Sequence, residues 1–477
     1  MKTLLLNPPS FDGFDGGAGS RWQARREVRS FWYPTWLCYA AGLIQESRVL
    51  DAPASGIGVQ ETVALARGFD LIAVYTSAPG FPQDVSLAER IKAANPRGLI
   101  GFVGPYPTVR AEETLQASPA IDFVTRGEFD YMLRDVAAGA EFSEVEGLSY
   151  RRDGRTVHNG SAQRIANLDD LPFVIPIYKR DLDIARYESG YLKYPYLSFY
   201  TGRGCVSRCT FCLWPQTFSL HAYRVRSVAN IVEEVKLALK TFPEVKEIFF
   251  DDDTLTDNRQ QVRELASRFK PLGFTWSANS KVTTDYDTLK AMRDGGLRLL
   301  VVGYESGNQQ ILKNIKKGTN LRQAREFTKR CRQLGIMIHG TFIVGLPGET
   351  QQTIEESIAF AKELNPDSIQ VSLAAPYPGT EFYNYLQEHR YFSARGLVNT
   401  QGYQNASVEY PWIRSEDLQA AVERFYKAFY FRPRVIVKIL GRALLDFAEL
   451  KRRLRQGAEF MRAMKGRGAE VSAKALS

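Results

Sequence analysis

The chain has 477 residues, 44% of them hydrophobic and 24% charged, with a net charge of +9 and five cysteines. That is the make-up of an ordinary folded protein of two or three domains; it excludes a disordered chain and, with no run of roughly 18 apolar residues, a membrane-spanning one. An odd cysteine count with three clustered in Cys205–Cys212 excludes a secreted disulfide framework and points to a reducing cytoplasm.

In chain order, the opening MKTLLLNPPSFDG has only Leu4–Leu6 as an apolar run, too short for a signal peptide, so it reads as a strand over Thr3–Asn7. Further strands are expected over Arg48–Asp51, Leu71–Thr76, Gly98–Val103 and Phe123–Arg126, with helices at Val59–Arg67 and Asp84–Ala94 between them. This alternation predicts an α/β class, with a doubly wound, Rossmann-like domain over residues 1–140. TSAPGFP and GPYPT follow the third and fourth strands, at the edge where such sheets bind ligands. Residues 141–194 read as a linker: a hairpin over Val145–His158 turning at Asp153–Gly154, then the connector LDDLPFVIPIYKRDL.

A second, more regular alternation follows, with strands over Leu197–Thr201, Glu247–Phe250, Thr275–Ala278, Leu297–Val302, Met337–Ile343 and Ser368–Leu373. The helical pattern of SVANIVEEVKLALKTF is capped by Ser227. Six successive βα units predict a partial (β/α)6 barrel over 195–395, with chemistry at the strand carboxyl ends. Residues 396–477 form a helical region. From Pro433, apolar Ile436, Leu440, Ala443, Leu444, Phe447, Leu450 and Leu454 recur among basic residues, eleven Lys/Arg against three acids over 432–467. Such a helix suits an anionic inner-membrane surface, or packs on the barrel with a solvated basic face. Nucleic acid is the weaker partner for this charge, since no RNA-binding module is evident.

The segment GRGCVSRCTFCLW carries the chemistry. Cys205, Cys209 and Cys212, spaced C-x-x-x-C-x-x-C after the first barrel strand, offer three thiolates; Cys38 and Cys331 sit in apolar helical surroundings. Structural zinc needs four ligands, for which His221 is the available fourth. A 4Fe–4S cluster held by three thiolates instead leaves one iron open to a small molecule.

This spacing, with Phe211 before the third cysteine, resembles the radical S-adenosylmethionine enzymes. The resemblance implies a 4Fe–4S cluster on the three cysteines, S-adenosylmethionine on its open iron, and one-electron cleavage to a 5′-deoxyadenosyl radical. A flavodoxin or ferredoxin type donor would supply the electron. By position it places Asp251, Asp252, Asp253 and Thr254 of FFDDDTLT near the methionyl amine, and Glu305 of GYESG at the ribose or methionine. It also puts Gly345 and Gly348 of FIVGLPGET on the adenine side, and Ser277 and Lys281 near the cofactor carboxylate. His221, Tyr304 and His339 are candidate acid–base residues.

The preceding α/β domain resembles that of the cobalamin-binding subgroup, although the cobalt-ligating motif D-x-H-x-x-G is absent and the first strand runs into NPPSFDGFDGG. Cobalamin is therefore a possible third cofactor. FDGFDGGAGSRWQARREVRSFWYPTWL, CTFCLWPQT and GYESGNQQILKNIKKG resemble the hopanoid-biosynthesis branch. That likeness implies a lipid substrate, bacteriohopanetetrol with a glucosamine headgroup, and radical ring contraction to a cyclitol ether, the protein working in the cytoplasm at the inner membrane. The alternatives are a cobalamin-dependent methylase of another lipid or small molecule, and an RNA-modifying methylthiotransferase-like enzyme.

Overall fold

The computed structural model describes residues 1–19, 22–217, 219, 221–433, 435, 437, 452 and 454–459. Strands Thr3–Asn7 (β1), Ser47–Asp51 (β2), Leu71–Tyr75 (β3), Leu99–Val103 (β4) and Phe123–Thr125 (β5) form a parallel sheet in the order β2-β1-β3-β4-β5. A parallel sheet covered on both faces reads as unbroken apolar runs, and TLLLN is buried throughout. Leu5 faces the large core shared with the barrel; Leu4 and Leu6 face a smaller core under the outer helices.

The expected hairpin forms as Leu148–Arg152 (β6) and Arg155–His158 (β7). It is not a linker, however. β6 pairs antiparallel with β5 and extends the sheet to seven strands, because Leu148 and Tyr150 bring apolar side chains to the common core.

The second sheet is Tyr196–Phe199 (β8), Glu247–Phe250 (β9), Trp276–Ser280 (β10), Leu297–Glu305 (β11), Met337–Val344 (β12) and Ser368–Leu373 (β13), in sequence order and all parallel. Ser227 caps the first crossover helix by accepting from Asn230 N; the next is capped by Asn258.

The outer strands β8 and β13 do not pair, so the barrel is open along one side. The segment 22–33 crosses the β8 side: Tyr33 donates to Tyr196 O at 2.6 Å and Tyr196 to Phe31 O at 3.0 Å. The free edge of β13 is satisfied by side chains. Ile369 N donates to the Tyr430 hydroxyl, Val371 N to that of Tyr426, and Leu373 N to Gln404 Oε1. Tyr426 and Tyr430 belong to the helix Ser415–Tyr430. Apolar positions Ile436, Leu440, Ala443, Leu444, Phe447 and Leu450 of the expected basic helix lie outside the described residues. No helix among the described residues is long and apolar enough to cross a membrane.

The two sheets present their carboxyl edges to each other. Gly379, past β13, lies so close to the turn after β4 that a Cβ would stand 2.7 Å from Val109, and Arg110 reaches the Tyr383 hydroxyl at 3.2 Å. Beneath this seam Arg203, 1% exposed, donates two hydrogen bonds to Asp130 of the first domain, at 2.8 and 3.0 Å. Its guanidinium also lies over the rings of Trp36 and Tyr39. Breaking a buried pair leaves an uncompensated charge. Arg203→Met should therefore lower stability by about 3–5 kcal/mol, read as an earlier urea transition.

Candidate functional site

The cysteine loop leaves β8, forms a short ladder of Gly202–Arg203 against Arg224–Val225, and turns through Cys205, Cys209 and Cys212. Its shape is held from behind by Gln216, whose amide lies within 3.1 Å of the carbonyls of Cys209, Thr210 and Cys212. Thr210 N bonds to Ile315 O, anchoring the loop to the chain beyond β11. Ser207 N points at the Cys205 sulfur at 3.4 Å, and Thr254 Oγ1 lies 3.5 Å from it. Burial raises the Cys209 thiol pKa, against the pull of Lys317.

Among the described residues no three His, Cys, Asp or Glu groups stand close enough to chelate one ion. His221 is turned by a hydrogen bond between Nδ1 and Ser207 O at 2.7 Å. Cys205 lies close enough to Cys209 to act on its thiol, so the loop gathers thiols without a fourth protein ligand among the described residues, as a cluster with one open iron requires.

Around the thiols stands a ring of paired charges. Glu305 has φ 62°, a left-handed conformation that costs a non-glycine residue of order 1–3 kcal/mol and concentrates at functional sites. It is buried and paired with Lys317 at 2.6 Å. The pair lies against β11 because position 303 is glycine: a Cβ there would stand 2.8 Å from Lys317 Nζ and collide with the carboxylate. Lys281 pairs with Asp257 at 2.8 Å, and Asn279 donates to Asp251 at 3.0 Å. Asp253 and Thr254 follow on the same loop, Thr254 Oγ1 bonding Asp253 O.

Other expected residues stand apart. Asp252 is fully buried and accepts from Thr201 N, Thr201 Oγ1 and Tyr223, so it ties β8 to β9 rather than facing the mouth; burial raises its pKa to about 6. Ser277 sits near the amino end of β10, bonded to Glu247, which Arg298 also holds. Tyr304 points outward to Thr328 at 2.6 Å. His339, at the amino half of β12, stacks on Tyr191 at 3.9 Å. The even–odd alternation of strands puts Tyr304 on the helix side, and rank along the strand puts Ser277 and His339 far from the mouth. Gly345 and Gly348 take positive φ in the turn after β12, where a Cβ on Gly348 would meet Asn314 at 2.6 Å. Lys317, Asn279, Gln216 and Arg203 escaped sequence reasoning. Lys317 is one of three lysines in KNIKKG, and nothing in that run marks which turns inward.

In the first domain, polar atoms are orphaned at the strand carboxyl ends: Asn7 Oδ1, Tyr75 OH and Thr125 Oγ1 are buried without a hydrogen-bond partner. Next to them Gly104 has φ 111° and leaves room that a Cβ would fill 3.1 Å from Thr76 O. This floor fits a large polar ligand. The chain's first histidine is His158, so the domain offers cobalt no imidazole from the β1 turn.

Residues 199–361 match the model of the radical SAM superfamily, and residues 23–137 match that of the B12 binding domain. An uncharacterized methyltransferase of Pyrococcus horikoshii is 29% identical over 92% of this chain and 94% of its own. The anaerobic magnesium-protoporphyrin IX monomethyl ester cyclase of Rubrivivax gelatinosus is 25% identical over 81% and 70%. In fold, the chain is similar to the radical S-adenosylmethionine methyltransferase TsrM from Kitasatospora setae, solved with cobalamin and a [4Fe-4S] cluster. The TM-score is 0.61 at 15% identity, covering 89% of this chain and 85% of that one. The cofactors are accordingly a 4Fe–4S cluster and S-adenosylmethionine at the barrel, with cobalamin at the first domain.

Two measurements check the site. Replacing Cys205, Cys209 or Cys212 singly by Ala should abolish the brown colour and iron content of anaerobically reconstituted protein while the far-ultraviolet spectrum stays that of the wild type. His339 has its pKa lowered to about 3 by burial, so between its ordinary 6.5 and 3 the unfolded chain binds a proton that the folded chain refuses. Stability contributed by the neutral ring is then complete above 6.5 and drains away on acidification. His339→Gln should flatten that acid limb in urea titrations taken from pH 7 to pH 4.

Proposed function

We propose, for a chain that joins a B12-binding domain to a radical SAM domain, that it moves a methyl group from S-adenosylmethionine by way of cobalamin to a carbon of a small organic substrate. The supporting observation is the meeting of the two carboxyl edges over the cysteine loop, locked by Arg203 and Asp130. Bound there, the cluster supplies the electron for sulfonium cleavage, and cobalamin is the methyl carrier.

The chain's own residues do the rest. Cys205, Cys209 and Cys212 hold the cluster. Asp253, Thr254 and the carboxylate of Glu305 offer acceptors to an ammonium or hydroxyl, and Lys317 orients Glu305. Phe211 and the turn at Gly345 bound the cofactor side, and Lys281 stands paired across the mouth. Asn7, Tyr75 and Thr125 offer polar groups to the cobalamin floor. Reducing equivalents come from a flavodoxin or ferredoxin type donor.

A second reading has one observation in its favour: the stretches resembling the hopanoid branch include the cysteine loop and GYESGNQQILKNIKKG, which Thr210 N joins by donating to Ile315 O. On that reading the same site contracts the glucosamine ring of a bacteriohopanetetrol lipid at the inner membrane, without methyl transfer.

The anaerobically reconstituted holoprotein, with reduced cobalamin and methyl-labelled S-adenosylmethionine, separates the two. Methyl transfer would consume two S-adenosylmethionine molecules, one giving S-adenosylhomocysteine with label on cobalamin and the other 5′-deoxyadenosine, which carries away the substrate hydrogen that the methyl group replaces. Ring contraction yields 5′-deoxyadenosine without S-adenosylhomocysteine, and an altered headgroup mass when glucosaminyl bacteriohopanetetrol is supplied. Neither product in either assay would overturn both.

A further inference from the structure

The barrel lumen carries two cavities on one wall. Side chains of β12 and β13 alternate, and the lumen-facing rungs are His339 opposite Ser368, Thr341 opposite Gln370 and Ile343 opposite Ser372. At the cluster end a small cavity of about 160 Å³ is lined by Ile343, Ser372, Phe211 and Cys212 itself. At the other end a cavity of about 430 Å³ is lined by His339, Ser368 and Gln370 on the wall, by Trp32, Tyr191 and Phe431, and by the charged Arg26, Glu27 and Asp367. Four steps along the strand lead from His339 to Ile343, about 13 Å at 3.3 Å per residue. Trp22 lines both cavities and stands between them.

The larger cavity has the build of a ligand site. Its volume lies in the range of small-molecule pockets, and aromatic rings share its walls with polar and charged residues, of which Arg26 pairs with Asp15 and Asp367 accepts from Ile338 N. His339 is 5% exposed and lines the space; Nδ1 is held by Ser368 Oγ at 2.8 Å, while Nε2 makes no hydrogen bond of good geometry, the Gln370 side chain being the polar group beside the ring. A buried, unsatisfied ring nitrogen costs of order 1–3 kcal/mol unless something enters to pair with it. Lowering of the histidine pKa to about 3 keeps that ring neutral, so it suits a neutral partner group.

We propose that the two cavities are the halves of one substrate channel divided by Trp22, and that the substrate is a neutral amphiphile. Its reacting polar end sits beside Cys212, and its apolar body fills the far cavity against Trp32 and Tyr191, with a hydrogen-bonding group at His339. This rests on the barrel mouth as the place of reaction and deepens that reading by naming the substrate class. Methyl transfer and ring contraction are equally compatible with it.

The test uses the full-length reconstituted chain and 1-alkyl glycerols of four to ten carbons, below their micellar concentrations, with dissociation constants from equilibrium dialysis. Each buried methylene should tighten binding about fourfold until the cavity is filled. Gln370→Trp on the wall and Val28→Trp on the covering segment each fill the far cavity and should remove the length dependence; if one fails to fold, the other stands. Trp22→Ala should move the length at which tightening stops to longer chains. Wild-type length dependence surviving both filling variants, or a stopping point unmoved in Trp22→Ala, would overturn the channel. Cleavage of S-adenosylmethionine by the wild-type chain is followed in parallel. Its absence speaks against the reaction at the mouth, whereas cleavage with length-independent binding speaks against the channel alone.

Discussion

A single buried guanidinium sets the relation between the two halves of the molecule. Arg203 lies two residues before Cys205, the first cysteine of the loop, and its charge is removed from water between Asp130, Trp36 and Tyr39. A buried cation is tolerated only with such a partner and such geometry, so the loop and the first domain cannot slide independently without exposing one charge or stranding another. Arg224 reinforces the arrangement by bonding Glu128 from the strand that pairs with Arg203. The distance between the cysteine loop and the cobalamin floor is therefore a property of the fold rather than of a flexible hinge.

From this clamp the lumen runs down a gradient of polarity. The mouth is crowded with matched charges, Glu305 with Lys317 and Lys281 with Asp257, the first pair held by a left-handed backbone and by the space at Gly303. The far end has a neutral histidine stacked on tyrosine, among aromatic rings with Arg26, Glu27 and Asp367 at their margin. Charged interactions strengthen as water is excluded, so chemistry that develops charge belongs at the first end and shape recognition at the second.

Much of this organisation was legible in the sequence, since parallel strands buried on both faces leave unbroken apolar runs. Thr3–Asn7 falls where its unbroken run places it, and Ser368–Leu373 where Ile, Val and Leu alternating with polar residues do. The hairpin at Leu148 was legible as a hairpin but not as a sheet extension, because pairing with β5 depends on a register that only the tertiary core selects. At the site, the three cysteines announce themselves by spacing. Ser277, Tyr304 and His339 misled because a strand residue's rank and face, not its proximity in sequence to a motif, decide whether it reaches the mouth. Lys317 was invisible for the opposite reason: its significance comes from Gly303, fourteen residues earlier, making space for it.

The outer margin of β13 is finished by two phenols and one amide in place of another strand. Backbone-to-backbone pairing would lock that margin into a fixed repeat and exclude anything wide. Three separate side-chain clips can each be altered, lengthened or lost alone, so substitutions on this flank could reshape the entrance to the lumen while the cysteine loop stays as it is.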